Sequence, residues 1–186
     1  MSVKVDPILT VADLDLMPDD GNRYELFAGE IFVSRAPGLP HQRVLRNLLT
    51  ELTLFLKDRP VGEIWPTPGV VFDDLNAAIP DIVFVSADRI SEIAAGEKVT
   101  GPPDLVIEII SAGAENERRD RIVKRQAYGK FGVREYWVVD RYRRTIEVYR
   151  LEQGRFVLAA KLEQTDELVS PLLPGFTCPL TRIFGA

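Results

Sequence analysis

Apolar residues recur at two different periods along the chain. Over 23–34, "RYELFAGEIFVS", the apolar residues Tyr24, Leu26, Ile31 and Val33 flank Ala28-Gly29, which predicts a β-hairpin. "APGLP" (36–40) is a loop. From 41 to 57 the period changes. Val44, Leu45, Leu48, Leu49, Leu52, Phe55 and Leu56 follow helical spacing, and Pro60 and Gly62 close the helix. Strands are predicted over 63–72, 81–85 and 104–110. The stretch 86–103 between the last two has Ser, Gly and Pro at its ends and is a connecting excursion. A second helix is predicted over 117–131, ended by Gly129 and Gly132. "REYWVVD" (134–140) is a strand, and 145–151 and 155–162 form an antiparallel pair around Gln153-Gly154. Residues 1–22 read as a lead-in with a short helix around 11–17. Residues 163–186, with Pro171, Pro174 and Pro179, read as an irregular strap ending near Ile183-Phe184.

This order predicts one mixed α/β (α+β) domain, not a doubly wound one. Its core spans about 23–162: a mixed central sheet flanked by helices, with the hairpin at its N-terminal side. A length of 186 residues fits a single domain.

The strand 102–111, "PPDLVIEIIS", carries the first chemical signal. Leu105, Ile107 and Ile109 occupy one face and Val106 and Ile110 the other, so both faces are covered. Glu108 lies inside this apolar run. A carboxylate there is costly unless paired, protonated or metal-bound. The bland alternative is an arginine partner or an open strand end. Asp81 follows Pro80, and taken alone it is a turn residue. If its strand runs antiparallel to 104–110, Asp81 and Glu108 meet at one edge of the sheet. Two carboxylates converging there suit a hard cation such as Mg²⁺ or Mn²⁺. On the following helix Asp120, Lys124 and Tyr128 recur at i, i+4 and i+8 and share a face. Either Asp120 and Lys124 form a solvated ion pair, or Lys124 faces the two carboxylates and neutralises charge on a phosphate. In the second case Asp81, Glu108 and Lys124 are the catalytic residues of a metal-assisted phosphodiester hydrolysis, with Asp81 and Glu108 holding the metal.

Composition narrows the field. One cysteine, Cys178, excludes an internal disulfide and a Cys-rich zinc site, and one histidine, His41, excludes a multi-His metal site. No apolar run reaches the ~20 residues of a membrane span, and no leader pattern is visible at the start. A cytoplasmic protein is the expectation, with no membrane partner. No glycine-rich phosphate loop is present, so no nucleotide cofactor is expected. The net charge of −5 argues against nucleic acid, but it hides an asymmetry. Residues 118–155 carry a balance of +7 and the rest −12. Arg118, Arg119, Arg121 and Arg125 begin this basic segment, which continues through Lys130, Arg134, Arg141, Arg143 and Arg144. It is either a solvated charged face or a rim that contacts DNA phosphates.

"RYELFAGE", Pro-His-Gln at 40–42, "PDIVFV", "PPDLVIEIIS", the Asp…Lys…Tyr helix, "GVREYWVVD" and a final "YRL" together resemble the Uma-type family of restriction endonucleases, of the PD-(D/E)xK nuclease superfamily. The match runs in order from Arg23 to Phe184. The resemblance implies a restriction-endonuclease-like core with a divalent-metal site, Pro80-Asp81 as the "PD" and Glu108 as the second acid. The superfamily lysine two residues after Glu108 is replaced by Ile110, and the resemblance assigns its role to Lys124. It also implies an extra acid near the metal, for which Glu25 is the candidate; the alternative is that Glu25 and Glu30 decorate the hairpin. "SAGAENERRD" (111–120) departs from the turn that relatives carry.

Two further residues join the candidates. His41, at the start of the first helix, either contacts substrate and orients a carboxylate or sits there as a polar helix residue. Tyr128 either reaches phosphate with its hydroxyl or packs with a wet tip. The leading expectation is a Mg²⁺-dependent DNA endonuclease. The alternatives are an inactive nuclease-fold module that binds DNA or assembles with partners, and a structural protein with no nucleic-acid ligand. A homodimer is expected, because cutting both strands needs two sites.

Overall fold

The computed structural model describes residues 8–111 and 113–185. The reading of the chain start as leaderless, and the first seven residues of the lead-in, lie outside them, as does Ala112 in the 111–120 segment.

Helix α1 (Val11–Leu14) precedes the hairpin of β1 (Asn22–Phe27) and β2 (Glu30–Arg35). Ala28 (φ 53°) and Gly29 (φ 79°) turn it, the two positive φ values that suit a tight hairpin's twist. A Cβ on Gly29 would meet Ile8 at 2.5 Å, so the position needs glycine. Helix α2 (Leu39–Leu56) is followed by β3 (Gly62–Pro66), β4 (Val70–Asp73), β5 (Asn76–Ala78) and β6 (Ile82–Ser86). The excursion holds α3 (Ile90–Ile93) and β7 (Val99–Thr100), and then comes β8 (Leu105–Ile109). A continuous helical stretch combines α4 (Ala114–Arg118), a π-helical segment (Arg119–Lys124) and α5 (Arg125–Phe131). The chain ends with β9 (Glu135–Asp140), β10 (Thr145–Glu152), β11 (Arg155–Leu162), β12 (Glu167–Val169), β13 (Thr177–Pro179) and α6 (Leu180–Phe184).

The mixed α/β class and the mixed central sheet hold, and a second sheet stands beside it. One sheet runs β2-β1-β5-β4-β7 and another β11-β10-β9-β8-β6-β3, with β12-β13 as a separate pair. The cause is local. The strand predicted over 63–72 is two strands in different sheets. Pro66 and Pro68 cannot donate to a ladder, and Thr67 between them takes φ 49°. The second correction concerns the tail. The expected irregular strap builds β12, β13 and α6, and buries Leu168, Cys178, Leu180 and Ile183 against α2 and the six-stranded sheet. Its apolar alternation is masked in sequence by the prolines. The second helix begins at Ala114, not 117, and contains the π segment that a plain 3.6-residue count does not show.

Strand β8 pairs antiparallel with β6 and parallel with β9. Its Leu105, Ile107 and Ile109 pack with Leu48, Leu52 and Trp137 in one core. Its Val106 packs with Tyr128, Tyr136 and Val138 in the other. Both faces are covered, as the pattern requires, and Glu108 points into the second layer, between the sheets. Among the described residues no helix is long and apolar enough to cross a membrane.

Candidate active site

Ile82 pairs with Ile107 in the antiparallel β6–β8 ladder. Asp81, one residue before β6, therefore stands beside Glu108 at the same end of the sheet. Asp81 Oδ2 accepts the Ile109 backbone N–H at 2.8 Å and lies 3.1 Å from His41 Nε2. Its Oδ1 pairs with Arg23 Nη1 at 3.4 Å. Pro40 in the first turn of α2 sets the helix start, which brings His41 to Asp81.

Glu108 Oε1 receives two hydrogen bonds, from Lys124 Nζ at 2.9 Å and from Tyr128 Oη at 2.8 Å. The same ammonium lies 2.9 Å from Glu25 Oε1, which also accepts the Ile79 N–H at 3.0 Å. Asp120 Oδ1 is 3.9 Å from Lys124 and 3.5 Å from Arg119 Nε. Glu25, Asp81, Glu108, Asp120 and Lys124 are each 2–4% exposed. The solvated Asp120–Lys124 pair is thereby excluded: both groups face inward. The π segment is held from the sheet by Tyr136, whose buried hydroxyl donates to the Asp120 carbonyl at 2.9 Å.

Burial and crowding separate these groups electrostatically. Burial, reinforced by Asp81, Asp120 and Glu25, pushes the Glu108 carboxyl up to about 8 against the opposing pull of Lys124. Burial raises Asp120 in the same direction. Asp81 resists its burial. The His41 contact, the Ile109 N–H and Lys124 hold it below the usual carboxylate range. Burial alone would lower Lys124, but Glu108, Glu25 and Asp120 outweigh it, so the ammonium stays charged. Burial, then Glu108, raises the Tyr128 hydroxyl, which stays a donor. The site therefore holds one carboxylate low and its neighbour high.

These side chains line a cavity of about 490 Å³ between the hairpin sheet, β8 and the π segment. Among the described residues, four buried side-chain atoms lack a hydrogen-bond partner: His41 Nδ1, Arg119 Nε, Asp120 Oδ1 and Arg141 Nε. All four belong to residues lining this cavity. Arg119 Nε and Asp120 Oδ1 face each other at 3.5 Å, and because buried polar atoms are nearly always paired, His41 Nδ1 and Arg141 Nε are left for water or a polar ligand. Among the described residues no three or more His, Cys, Asp or Glu gather closely enough to hold a metal by themselves.

Asp81, Glu108, Lys124, Glu25, His41 and Tyr128 are thus brought together, with Arg119 in the cavity wall. Arg141 of the basic segment lines it as well, but Arg118, Arg121 and Arg125 do not. Arg118 lines an adjoining recess. Arg121 is spent on Glu117, Asp140 and Glu147, and Arg125 stacks over Tyr149 on another face of the helix. Arg23 and Arg35, outside that segment, also line the cavity. Arg23 stands in the "RYELFAGE" motif and could have been found there; Arg35 carries no local signal.

Two mixed sheets flanked by helices thus bring two acids and a lysine to one cavity. A crystal structure from Anabaena variabilis, described as "a putative nuclease belonging to DUF820", matches with a TM-score of 0.75 at 19% identity, covering 95% of this chain and 97% of that one. At that identity the likeness establishes the fold. The family model Uma2, described as "Putative restriction endonuclease", matches residues 11–181, and the chain belongs to this family. The resemblance read from its motifs is borne out. Among curated proteins none matches the sequence.

Proposed function

We propose that the chain is a Mg²⁺- or Mn²⁺-dependent endonuclease that hydrolyses DNA phosphodiester bonds in this cavity, with Asp81, Glu108 and Lys124 as catalytic residues. The observation that carries this reading is the Lys124 ammonium, fixed 2.9 Å from Glu108 in the cavity that Asp81 also lines. The family and the structural neighbour, both described in terms of nucleases, support it.

A divalent cation fits the donor set. Asp81 and Glu108 offer hard oxygens at neighbouring register positions, and burial, followed by surplus carboxylate charge, already drives Glu108 toward protonation. Mg²⁺ takes one or two carboxylates and keeps its other positions for water and phosphate, so a larger cage of protein ligands is not needed. When bound, the cation supplies charge neutralisation at the phosphate and a more acidic water.

The chain's own groups have distinct tasks. Asp81, held by Ile109 N–H and His41, stays ionised and in place. Tyr128 and Lys124 both hold Glu108 Oε1, which would leave Oε2 to hold the cation. Lys124 stays charged and stabilises the negative charge that builds on the phosphate. Arg119, Arg23 and Arg141 line the same cavity and hold phosphate oxygens.

The test is supercoiled plasmid incubated with Mg²⁺, beside Asp81→Ala, Glu108→Ala and Lys124→Ala. Nicking or linearisation is expected from the unaltered chain and loss of about a hundredfold or more from each variant. Cleavage that survives Asp81→Ala or Lys124→Ala overturns the assignment. A second reading, an inactive DNA-binding or assembly module, is favoured by one feature: Lys124 is already held at 2.9 Å by both Glu25 and Glu108. It predicts DNA binding without metal-dependent turnover. Homodimerisation is part of the leading reading, and light scattering of the purified chain checks it.

A further inference from the structure

The basic segment 118–155 does not act as one surface. Within it Arg121 and Arg143 are bound to Asp140 and Glu117, Arg134 to Asp104 and Arg150 to Glu135. Among the described residues six cations of the segment stand in no ion pair, and three of the six, Arg125, Lys130 and Arg155, gather in one place. They line one groove of about 540 Å³ between α5 and the β10–β11 hairpin, with Tyr149, Phe156 and Leu158, and no acidic residue lines it.

The local structure builds this groove. Gly129 lets α5 approach β11 closely, since a Cβ there would meet the Phe156 ring at 3.2 Å. The turn at Gln153 (φ 49°) and Gly154 (φ 78°) sets Arg155 at the hairpin tip. A bulge at Val148/Tyr149 interrupts the β10–β11 register beside it and re-aims the side chains there. The Arg125 guanidinium lies 4.9 Å from the Tyr149 ring centroid. A guanidinium held against an aromatic ring is a flat, charged platform, and nucleobases stack on such planes. Leu158, 48% exposed, adds an apolar wall.

We propose that this groove is a second nucleic-acid seat, one that takes an unpaired strand. Arg125, Lys130 and Arg155 hold its phosphates, and the Tyr149-backed guanidinium of Arg125 stacks a base. The choice of ligand rests on the nuclease reading above. Three cations with no acid between them match a polyanion, and an aromatic-backed plane matches a planar base. The groove lies across the helix from the carboxylate cavity, so it holds nucleotides distant from the bond being cut.

Binding of a fluorescein-labelled long oligothymidylate, read by anisotropy in EDTA, tests this without requiring cleavage. Neutralising all three cations (Arg125→Gln, Lys130→Gln, Arg155→Gln) is expected to weaken binding about tenfold or more at low salt. It should also flatten the dependence of log affinity on log salt by about two. Arg125→Lys keeps the charge but loses the plane. It should keep the salt slope and weaken oligothymidylate about fivefold, while leaving an abasic strand unaffected. Circular dichroism confirms that each variant is folded. Unchanged affinity and slope in the triple variant overturn the inference. So does an equal loss with polyglutamate, which would make the groove a general anion or peptide surface. A chain that binds through the groove yet never nicks plasmid keeps this inference and loses the nuclease reading. One that cuts while the triple variant binds normally loses this inference alone.

Discussion

Lys124 Nζ lies 2.9 Å from Glu25 Oε1, and that contact ties the helix after β8 to the hairpin sheet. The same ammonium lies 2.9 Å from Glu108, so one buried cation joins both sheets. Removing it leaves two desolvated carboxylates facing each other. Breaking one side of a buried ion pair typically costs about 3–5 kcal/mol. Lys124→Met is therefore expected to lose stability on that scale in urea unfolding. Adding Glu25→Gln and Glu108→Gln to it should restore most of the loss, because the uncompensated charges go with the lysine. A loss that the added substitutions do not relieve would show that Lys124 acts by packing.

The raised Glu108 carboxyl makes stability depend on pH in a definite sense. Its folded value is about 8 against an ordinary 4.5. Between those values the folded chain holds a proton that the unfolded chain has released. Stability from this group is therefore full below about pH 4.5 and is lost as pH rises through about 8. Asp81 is shifted the other way, so its contribution is lost only in acid, as pH falls below the ordinary carboxylate range. Melting temperatures in EDTA should fall from about pH 5 to about pH 8, and Glu108→Gln should flatten that fall. With Mg²⁺ present the trend reverses, since a cation beside Glu108 favours its charged form. Mg²⁺ should raise the melting temperature more at the alkaline end. Equal Mg²⁺ effects at both ends would remove Glu108 from the metal site.

Tyr136 belongs to the site through a carbonyl. Its hydroxyl donates to the Asp120 backbone oxygen inside the π segment that carries Lys124. Tyr136→Phe removes only that donor and keeps the ring packed on Tyr128 and Phe156. Leaving a buried carbonyl unpaired costs about 1–3 kcal/mol. As a positioning residue, Tyr136 should affect kcat about tenfold with KM little changed, since a misplaced catalytic group is felt in the transition state. A variant that is less stable but keeps its kcat would make Tyr136 purely structural.

Much of the site is legible in the sequence because its chemistry conflicts with its surroundings. Glu108 interrupts an apolar strand, Asp81 follows a proline at a strand start, and Lys124 and Tyr128 repeat on one helix face. Each conflict is local, and the antiparallel β6–β8 pairing then joins the first two. The partition of the arginines is not legible. Arg121 is neutralised by Asp140 on β9 and Glu147 on β10, and such partners depend on the tertiary fold. Nor is Glu25 separable from a decorative acid until Ile79 N–H and Lys124 are seen on its Oε1. The break in 63–72 was written locally in Pro66-Thr67-Pro68-Gly69; the β-propensity of the flanking residues concealed it.

Arg119 and Arg121 stand two apart in the basic segment, yet their predicted roles differ. Arg119 lines the carboxylate cavity with an Nε whose one ion-pair contact is the adjacent Asp120 at 3.5 Å, whereas Arg121 is clamped by Glu117, Asp140 and Glu147 at 3.0, 2.8 and 2.7 Å. Arg119→Gln should weaken DNA binding and reduce the salt slope by about one, as expected for a single phosphate contact. Arg121→Gln should leave that slope unchanged. It should instead cost about 1 kcal/mol of stability, limited because Arg143 still pairs with Asp140 at 2.7 Å. Anisotropy titrations over a range of salt, beside urea unfolding of both variants, separate the two roles. A salt slope that falls equally in both variants would return Arg121 to the phosphate-contacting rim.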